Sequence, residues 1–126
     1  VVLSRGLGDV YKRQGIEYAD AKTLLSNEIP FAIASDYNPG SSPSGNMNFI
    51  LSLACNKLKL TTEQAINAAT INGAYAMGLS HKTGSITKGK IANIIISSEI
   101  ESINDLPYFY GDNLVDKILI NGEEII

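Results

Sequence analysis

The residues best suited to chemistry lie at residues 31–45, where an apolar run meets a polar turn. Residues 31–34 read Phe-Ala-Ile-Ala, Ser35 and Asp36 follow them, and the next nine residues include two Pro and two Gly. An uncharged run of this kind is typical of a strand covered on both faces, as in a parallel sheet. In α/β barrels the loops after such strands line the mouth that holds the chemistry, so Asp36 is a candidate catalytic carboxylate.

The same residues have an alternative interpretation as a plain turn. Residues 36–40, Asp-Tyr-Asn-Pro-Gly, form a common turn sequence in which the Asp or Asn side chain bonds nearby backbone groups. Residue types and spacing alone favour this interpretation, under which Asp36 caps a loop and has no part in catalysis. The catalytic interpretation needs a further observation.

A resemblance to a known family supplies that observation. Residues 36–43, Asp-Tyr-Asn-Pro-Gly-Ser-Ser-Pro, resemble the motif at the last barrel strand of the imidazolonepropionase family of metal-dependent cyclic amidohydrolases. The similarity runs from about residue 15 to the end of the chain. Residues 68–74, Ala-Ala-Thr-Ile-Asn-Gly-Ala, and residues 84–93 resemble the wider amidohydrolase superfamily and do not narrow the choice further.

The resemblance implies an α/β fold and a division of the chain into three segments. Residues 1–14 match nothing in the family and are interpreted as an adapter-derived, non-native segment. Residues 15–80 would form the C-terminal part of a (β/α)8 barrel, namely its last strand and the helices that follow, and residues 81–126 part of a small β-sandwich. Such a barrel needs about 250 residues. A chain of 126 residues is therefore expected to be the C-terminal fragment of an enzyme.

The resemblance also implies a reaction, the metal-dependent hydrolysis of the cyclic amide 4-imidazolone-5-propanoate to N-formimidoyl-L-glutamate in histidine degradation. In the family, zinc or iron is bound by a His-x-His pair, a later His and the Asp of the last strand. Asp36 would be that metal ligand and would take the proton of the attacking water, while Asn38, Gly40 and Ser41 would contact the substrate. The sequence lacks the His-x-His pair, so the fragment itself is expected to be inactive.

Two rival hypotheses stay open. Another amidohydrolase, such as a deaminase or a cyclic ureide hydrolase, would share the strand-end Asp, but the residues Asn38-Pro39-Gly40-Ser41 after it favour imidazolonepropionase. A non-catalytic α+β binding module could instead use the Pro/Gly loop to contact a partner. A His-x-His strand upstream in the same reading frame would support the enzyme over the binding module.

Composition and charge exclude several classes of protein. The net charge is −3, and no Arg occurs after Arg13, so no basic surface for nucleic acid is predicted. Cys55 is the only cysteine and is interpreted as a plain buried thiol, and His81, the only histidine, as a solvated loop residue. No apolar run approaches a membrane span, so a cytoplasmic protein without membrane partners is expected. The expected partners are a small-molecule substrate and, at full length, a second copy in a homodimer.

The first half of the chain is predicted to form helices before and after the apolar run. Residues 17–27 have a helical pattern that Asn27 is predicted to end in a left-handed conformation. Ser44 or Asn46 is predicted to cap a helix that ends near residue 57. Thr61 and Gln64 fit a capping box that begins a third helix, predicted to continue through Gly73 and to end at Gly78.

The second half of the chain is predicted to form short strands. Residues 85–87 and 91–97 are predicted strands joined by a tight glycine turn, and residues 114–126 a hairpin that turns at Asn121-Gly122. Residues 98–113 are predicted to be a loop. Its aromatic cluster, residues 108–110, is interpreted as packing the sandwich against the barrel.

Overall fold

The computed structural model of the chain describes residues 2–3, 18–40 and 42–126, the first pair by its backbone alone. Most of residues 1–14, the predicted non-native segment, lies outside the described residues. The helices and strands in chain order are β1 (Val2–Leu3), α1 (Ala21–Ser26), β2 (Phe31–Ala32), α2 (Met47–Lys57), α3 (Thr62–Ala69), α4 (Ile71–Ala76), β3 (Ile94–Ser97), α5 (Asp105–Tyr108), β4 (Val115–Ile120) and β5 (Glu123–Glu124). In the part of the chain that the structure describes, no helix has the length and hydropathy of a membrane span.

Strand β2 lies in the hydrophobic core. It pairs in parallel with β1, with Phe31 opposite Val2 and Ala32 opposite Leu3. Phe31, Ala32 and Ile33 are buried, which confirms the prediction of a covered strand for three of its four residues. Ala34 is exposed, and the paired part of the strand is only two residues long. The other members of the core belong to α1, α2, α3 and the α2–α3 connection: Ala21, Ile50, Leu51, Leu53, Ala54, Leu58, Leu60, Ala65 and Ala68.

The helices on either side of β2 begin with side-chain caps. The Asp20 carboxylate accepts the backbone N–H of Thr23 at the start of α1 (3.0 Å). Hydrogen bonds from the Thr23 hydroxyl and from its backbone N–H lower the pKa of Asp20. At the start of α2, Asn46 accepts the backbone N–H of Phe49 (3.2 Å), so Asn46 and not Ser44 is the cap.

The predicted left-handed residue at the end of α1 is wrong by one position. Asn27 has a φ of −99°, and the left-handed residue is Glu28, with a φ of 54°. Asn27 donates to the carbonyl of Thr23 from its backbone N–H (3.2 Å) and from its side-chain amide (2.8 Å). These two bonds continue the helical pattern through Asn27, so the chain reverses one residue later.

The third predicted helix is divided in two. Its capping box is confirmed, because the backbone N–H of Thr61 donates to Gln64 Oε1 (2.9 Å) and the backbone N–H of Gln64 donates to the Thr61 hydroxyl (3.3 Å). The predicted continuous helix is wrong, since Thr70 adopts φ −113° and ψ −87° between α3 and α4. The Thr70 hydroxyl donates to the carbonyl of Ile66 (2.7 Å), a local bond that competes with a regular helix.

Two predicted left-handed turns are confirmed. Gly78 has a φ of 71° just past the end of α4, and the next amide, that of Leu79, donates to the carbonyl of Ala74 (2.8 Å), as in a Schellman cap. Asn121 and Gly122 have φ values of 55° and 85° between β4 and β5. A type I′ hairpin turn requires this pair of positive φ values.

Strands β3, β4 and β5 form an antiparallel sheet in that order. The predicted strand at residues 85–87 is wrong: these residues form a bend and a coil, and Ile86 is 85% exposed. The described residues place no strand beside this segment, and a strand needs a neighbour for its backbone groups. The predicted strand at residues 91–97 is present in shortened form as β3, from residue 94 to residue 97.

The segment predicted as a loop contains a short helix, α5. Its first residue, Asp105, accepts the backbone N–H groups of Glu101 (3.0 Å) and Ser102 (3.2 Å), which folds the preceding chain over the helix start. In the aromatic cluster, the ring of Tyr110 contacts α2, with its centre 5.5 Å from the ring centre of Phe49. The other two rings of the cluster contact each other and are exposed.

Candidate functional site

Asp36 lies where the chain leaves the buried strand. Residues 31–33 are buried, whereas Asp36 is exposed and has a left-handed φ of 52°. Few residues with a side chain adopt this conformation, and Asp and Asn are among those that tolerate it best. The strand therefore ends before Asp36, whose exposed carboxylate is accessible to a ligand.

Asn38 organises the loop that follows. Its backbone N–H donates to the carbonyl of Ser42 (2.8 Å), and its carbonyl accepts the N–H of Ser42 (3.2 Å), which closes the loop. Its side-chain amide donates to the carbonyl of Asp36 (2.7 Å), and its Oδ1 accepts the backbone N–H of Gly40 (3.0 Å). The loop thus has a defined conformation in which Asn38 bonds the backbone on both sides.

The structure brings three of the four predicted site residues together. Asp36, Asn38 and Gly40 lie within five consecutive positions of the closed loop. Gly40 does not have a left-handed φ, and a Cβ atom there would lie 3.4 Å from Asn38 Oδ1. Ser41, the fourth residue, lies outside the described residues. The assignment of Asn38, Gly40 and Ser41 to substrate contacts stays a prediction.

Sequence reasoning overlooked Ser42, which joins the two ends of the loop. Ser42 is 5% exposed, and its hydroxyl donates to the carbonyl of Ser35 (3.0 Å), seven residues earlier. Its backbone forms the pairing with Asn38 described above. The available signal was its place in a Pro/Ser-rich turn directly after the strand, since Ser side chains commonly bond the backbone of such turns.

We expect Ser42→Ala to lower the free energy of unfolding by about 1–2 kcal/mol, because the carbonyl of the half-buried Ser35 loses its donor. Urea unfolding of the purified chain measures this change. Ser98→Ala is the matched control at an exposed serine and is expected to change stability by less than about 0.5 kcal/mol. Equal effects of the two substitutions would contradict the role given to the Ser42 hydroxyl.

The described residues do not by themselves fit a metal ion. Among residues 18–40 and 42–126, no group of three or more His, Cys, Asp or Glu side chains is arranged to hold one. His81 is exposed in the polar turn after α4. Cys55 is half-buried rather than fully buried, and burial raises the pKa of its thiol, which disfavours the thiolate that metals bind. Asp36 is left as a single candidate ligand, where a catalytic zinc site typically has three.

A wide groove lies elsewhere among the described residues. It has a volume of about 1110 Å³ and is lined by α2, α3, α4 and residues 83–97, with no residue of the loop that contains Asp36. Most of its surface is apolar, and its charged side chains are two lysines, Lys88 and Lys90. The groove and the loop that contains Asp36 are therefore separate features of the described chain.

Comparison with known proteins gives the family. The family profile described as the amidohydrolase family matches residues 12–125. The chain is 59% identical over 110 residues to an imidazolonepropionase from Christiangramia forsetii and 56% identical over 110 residues to one from Flavobacterium johnsoniae. Each match covers 87% of this chain but 27% of the relative. The chain therefore spans about a quarter of the length of the curated relatives it matches.

Solved structures share the fold. An amidohydrolase from Thermotoga maritima MSB8 superposes with a TM-score of 0.66 and 23% identity, over 84% of this chain and 25% of that one. The guanine deaminase of E. coli superposes with a TM-score of 0.75 and 17% identity, over 94% of this chain and 32% of that one. At these identities the likeness concerns the fold alone, and it supports the predicted α/β fold. Because the family profile covers nearly all of its length, the chain belongs to the amidohydrolase family.

Proposed function

We propose that this chain is the C-terminal part of an imidazolonepropionase, which hydrolyses the cyclic amide 4-imidazolone-5-propanoate to N-formimidoyl-L-glutamate in histidine degradation. The observation that carries the proposal is the exposed carboxylate of Asp36, which follows a buried strand and begins a loop closed by its own hydrogen bonds. The identity of 59% to an imidazolonepropionase over 110 residues supports the choice of substrate.

The proposed architecture follows the resemblance. Residues 15–80 would contribute the last strand and the following helices of a (β/α)8 barrel, and residues 81–126 part of a β-sandwich. The order of a buried strand and three helices followed by an antiparallel sheet is compatible with this division. Residues 1–14 are proposed to be non-native. We further propose that the complete enzyme is a cytoplasmic homodimer whose ligand is a small molecule.

The proposed roles in the site follow from its chemistry. The amidohydrolase family is generally metal-dependent, and we propose zinc or iron as the metal of the complete enzyme. Asp36 would be one of its ligands, and its carboxylate would also accept the proton of the attacking water. Asn38 would hold the loop in the conformation that presents Asp36 and, with Gly40 and Ser41, would contact the substrate.

We expect the chain of residues 1–126 to bind Zn²⁺ weakly, because its described residues offer no cluster of ligands. Equilibrium dialysis at neutral pH would then show a Kd above about 10 µM, far weaker than a structural zinc site. Asp36→Asn should leave this weak binding unchanged. Tight binding of one Zn²⁺ per chain would contradict the proposal that the other ligands belong to the rest of the enzyme.

The activity is tested with the full-length protein, obtained by extending the reading frame upstream. We expect it to convert 4-imidazolone-5-propanoate to N-formimidoyl-L-glutamate, detected by mass spectrometry, and to leave guanine and a cyclic ureide unchanged. The chain of residues 1–126 serves as the inactive control. Conversion of guanine or of the ureide instead would identify a different amidohydrolase. No conversion of any of the three would favour the binding module.

A further inference from the structure

One edge of strand β2 is occupied by the junction of α3 and α4. The backbone groups of residues two apart in a strand point to the same edge, and here Phe31 and Ile33 share one. The carbonyl of Phe31 accepts the side-chain amide of Asn72 (2.8 Å), which comes from a position 41 residues later in the chain. The N–H of Ile33 donates to the carbonyl of Ala68 (3.2 Å).

The same line of hydrogen bonds continues to the loop with Asp36. After Phe31 and Ile33, the next alternate residue, Ser35, accepts the hydroxyl of Ser42 (3.0 Å). The strand is therefore fixed at three alternate positions between its start and the loop. The first of these three positions, Phe31, is bonded by the side chain of Asn72. At the other two positions the partner is a backbone carbonyl or a side chain of the loop itself.

The break at Thr70 is what gives Asn72 this position. Asn72 is the second residue of α4, which begins directly after the break between the two helices. Gly84 packs closely against α4: an added Cβ would lie 2.5 Å from the Cβ of Ala74 and 3.1 Å from the Cα of Ile71. The two sequence patches at residues 68–74 and 84–93 thus meet at the junction that carries Asn72.

We propose that Asn72 is a positioning residue for Asp36, a role that rests on the proposed function of the Asp36 loop. Its amide holds the carbonyl of Phe31, at the opposite end of the strand from Asp36, and thereby fixes the direction in which the strand leads into the loop. The hydrogen bond of Asn72 is made to Phe31, five residues before Asp36. Loss of its donor therefore lets the strand and the loop move while the remaining fold stays intact.

Hydrogen exchange in the chain of residues 1–126 tests the proposal without any need for activity. We expect Asn72→Ala to raise exchange about five- to tenfold at the amides of Ile33, Asn38 and Ser42, which the strand and loop bonds protect. Asn56→Ala is the matched control, because Asn56 donates a bond of similar length to a carbonyl, that of Ser52 in its own helix (2.9 Å). The control should not change exchange in the strand and loop.

A second variant and a kinetic readout separate positioning from general stability. Asn72→Asp keeps the side-chain shape but removes the donor, so it should raise exchange at the same amides. In the full-length protein, Asn72→Ala should lower kcat about 10- to 100-fold with little change in KM, as expected for a misplaced catalytic group. A uniform rise in exchange, an unchanged kcat, or unfolding of both variants would overturn the proposal.

An unmutated full-length protein without activity would instead refute the proposed function alone, because the exchange results do not depend on turnover.

Discussion

Replacing Asp36 with Asn in the full-length protein is expected to lower kcat by about 10²–10⁴-fold and to leave the fold intact. The amide of Asn cannot accept the proton of the attacking water, and general-base catalysis typically contributes a factor of this size. Asn also tolerates the left-handed φ of 52° at this position, whereas Ala would add backbone strain to the chemical loss. Steady-state kinetics with 4-imidazolone-5-propanoate measures the effect, and circular dichroism checks the fold.

Asp20→Asn is the control for the change in charge. Asp20 is exposed, and its replacement by Asn removes the same negative charge. Asp20 caps α1, and Asn is an equally good cap. We expect its kcat to equal that of the unmutated protein. If Asp36→Asn retained full turnover while folded, Asp36 would have no part in the mechanism, and the interpretation of residues 36–40 as a plain turn would replace the catalytic one.

Local sequence signals predicted much of this structure. The buried strand before Asp36, the cap at Asn46, the capping box of Thr61 and the hairpin turn at Asn121 are all confirmed. The cap, the capping box and the hairpin turn depend on interactions between residues close together in the chain, such as a side chain that bonds a backbone group three positions away. The strand was recognised from its uncharged apolar run. A single sequence contains such information directly. The placement of Asp36 in a left-handed turn at the strand end follows from the same local chemistry.

The remaining features depend on contacts between distant residues. The break at Thr70 has no strong local signal, and its consequence, the bond from Asn72 to Phe31, spans 41 residues. The segment at residues 85–87 has a strand-like pattern, yet it stays unpaired because the described residues supply no neighbouring strand. The strand propensity of a segment predicts its structure poorly where contacts with distant residues determine whether a strand forms. The burial of Ser42 likewise becomes evident only once the loop is closed.

Gly84→Ala is expected to cause the largest loss of stability, about 3 kcal/mol in the free energy of unfolding. The new Cβ would lie 2.5 Å from the Cβ of Ala74 and 3.2 Å from the carbonyl oxygen of Thr70. Neither atom belongs to a flexible side-chain end, so the start of α4 itself would have to move. Gly84 also has a φ of 89°, which adds a backbone cost for any residue with a side chain. Urea unfolding of the purified chain gives the value.

Gly89→Ala isolates the steric part of this loss. Gly89 has nearly the same φ, 91°, but no atom lies within 4 Å of the position of its added Cβ. The control should therefore lose only the backbone contribution, about 1 kcal/mol, and the difference between the two variants is the cost of the clash with α4. Because that clash displaces the helix that carries Asn72, Gly84→Ala should also weaken the protection of the Ile33 amide, and Gly89→Ala should not. Equal losses in the two variants would show that Gly84 is required for its conformation alone and that α4 does not depend on the close contact.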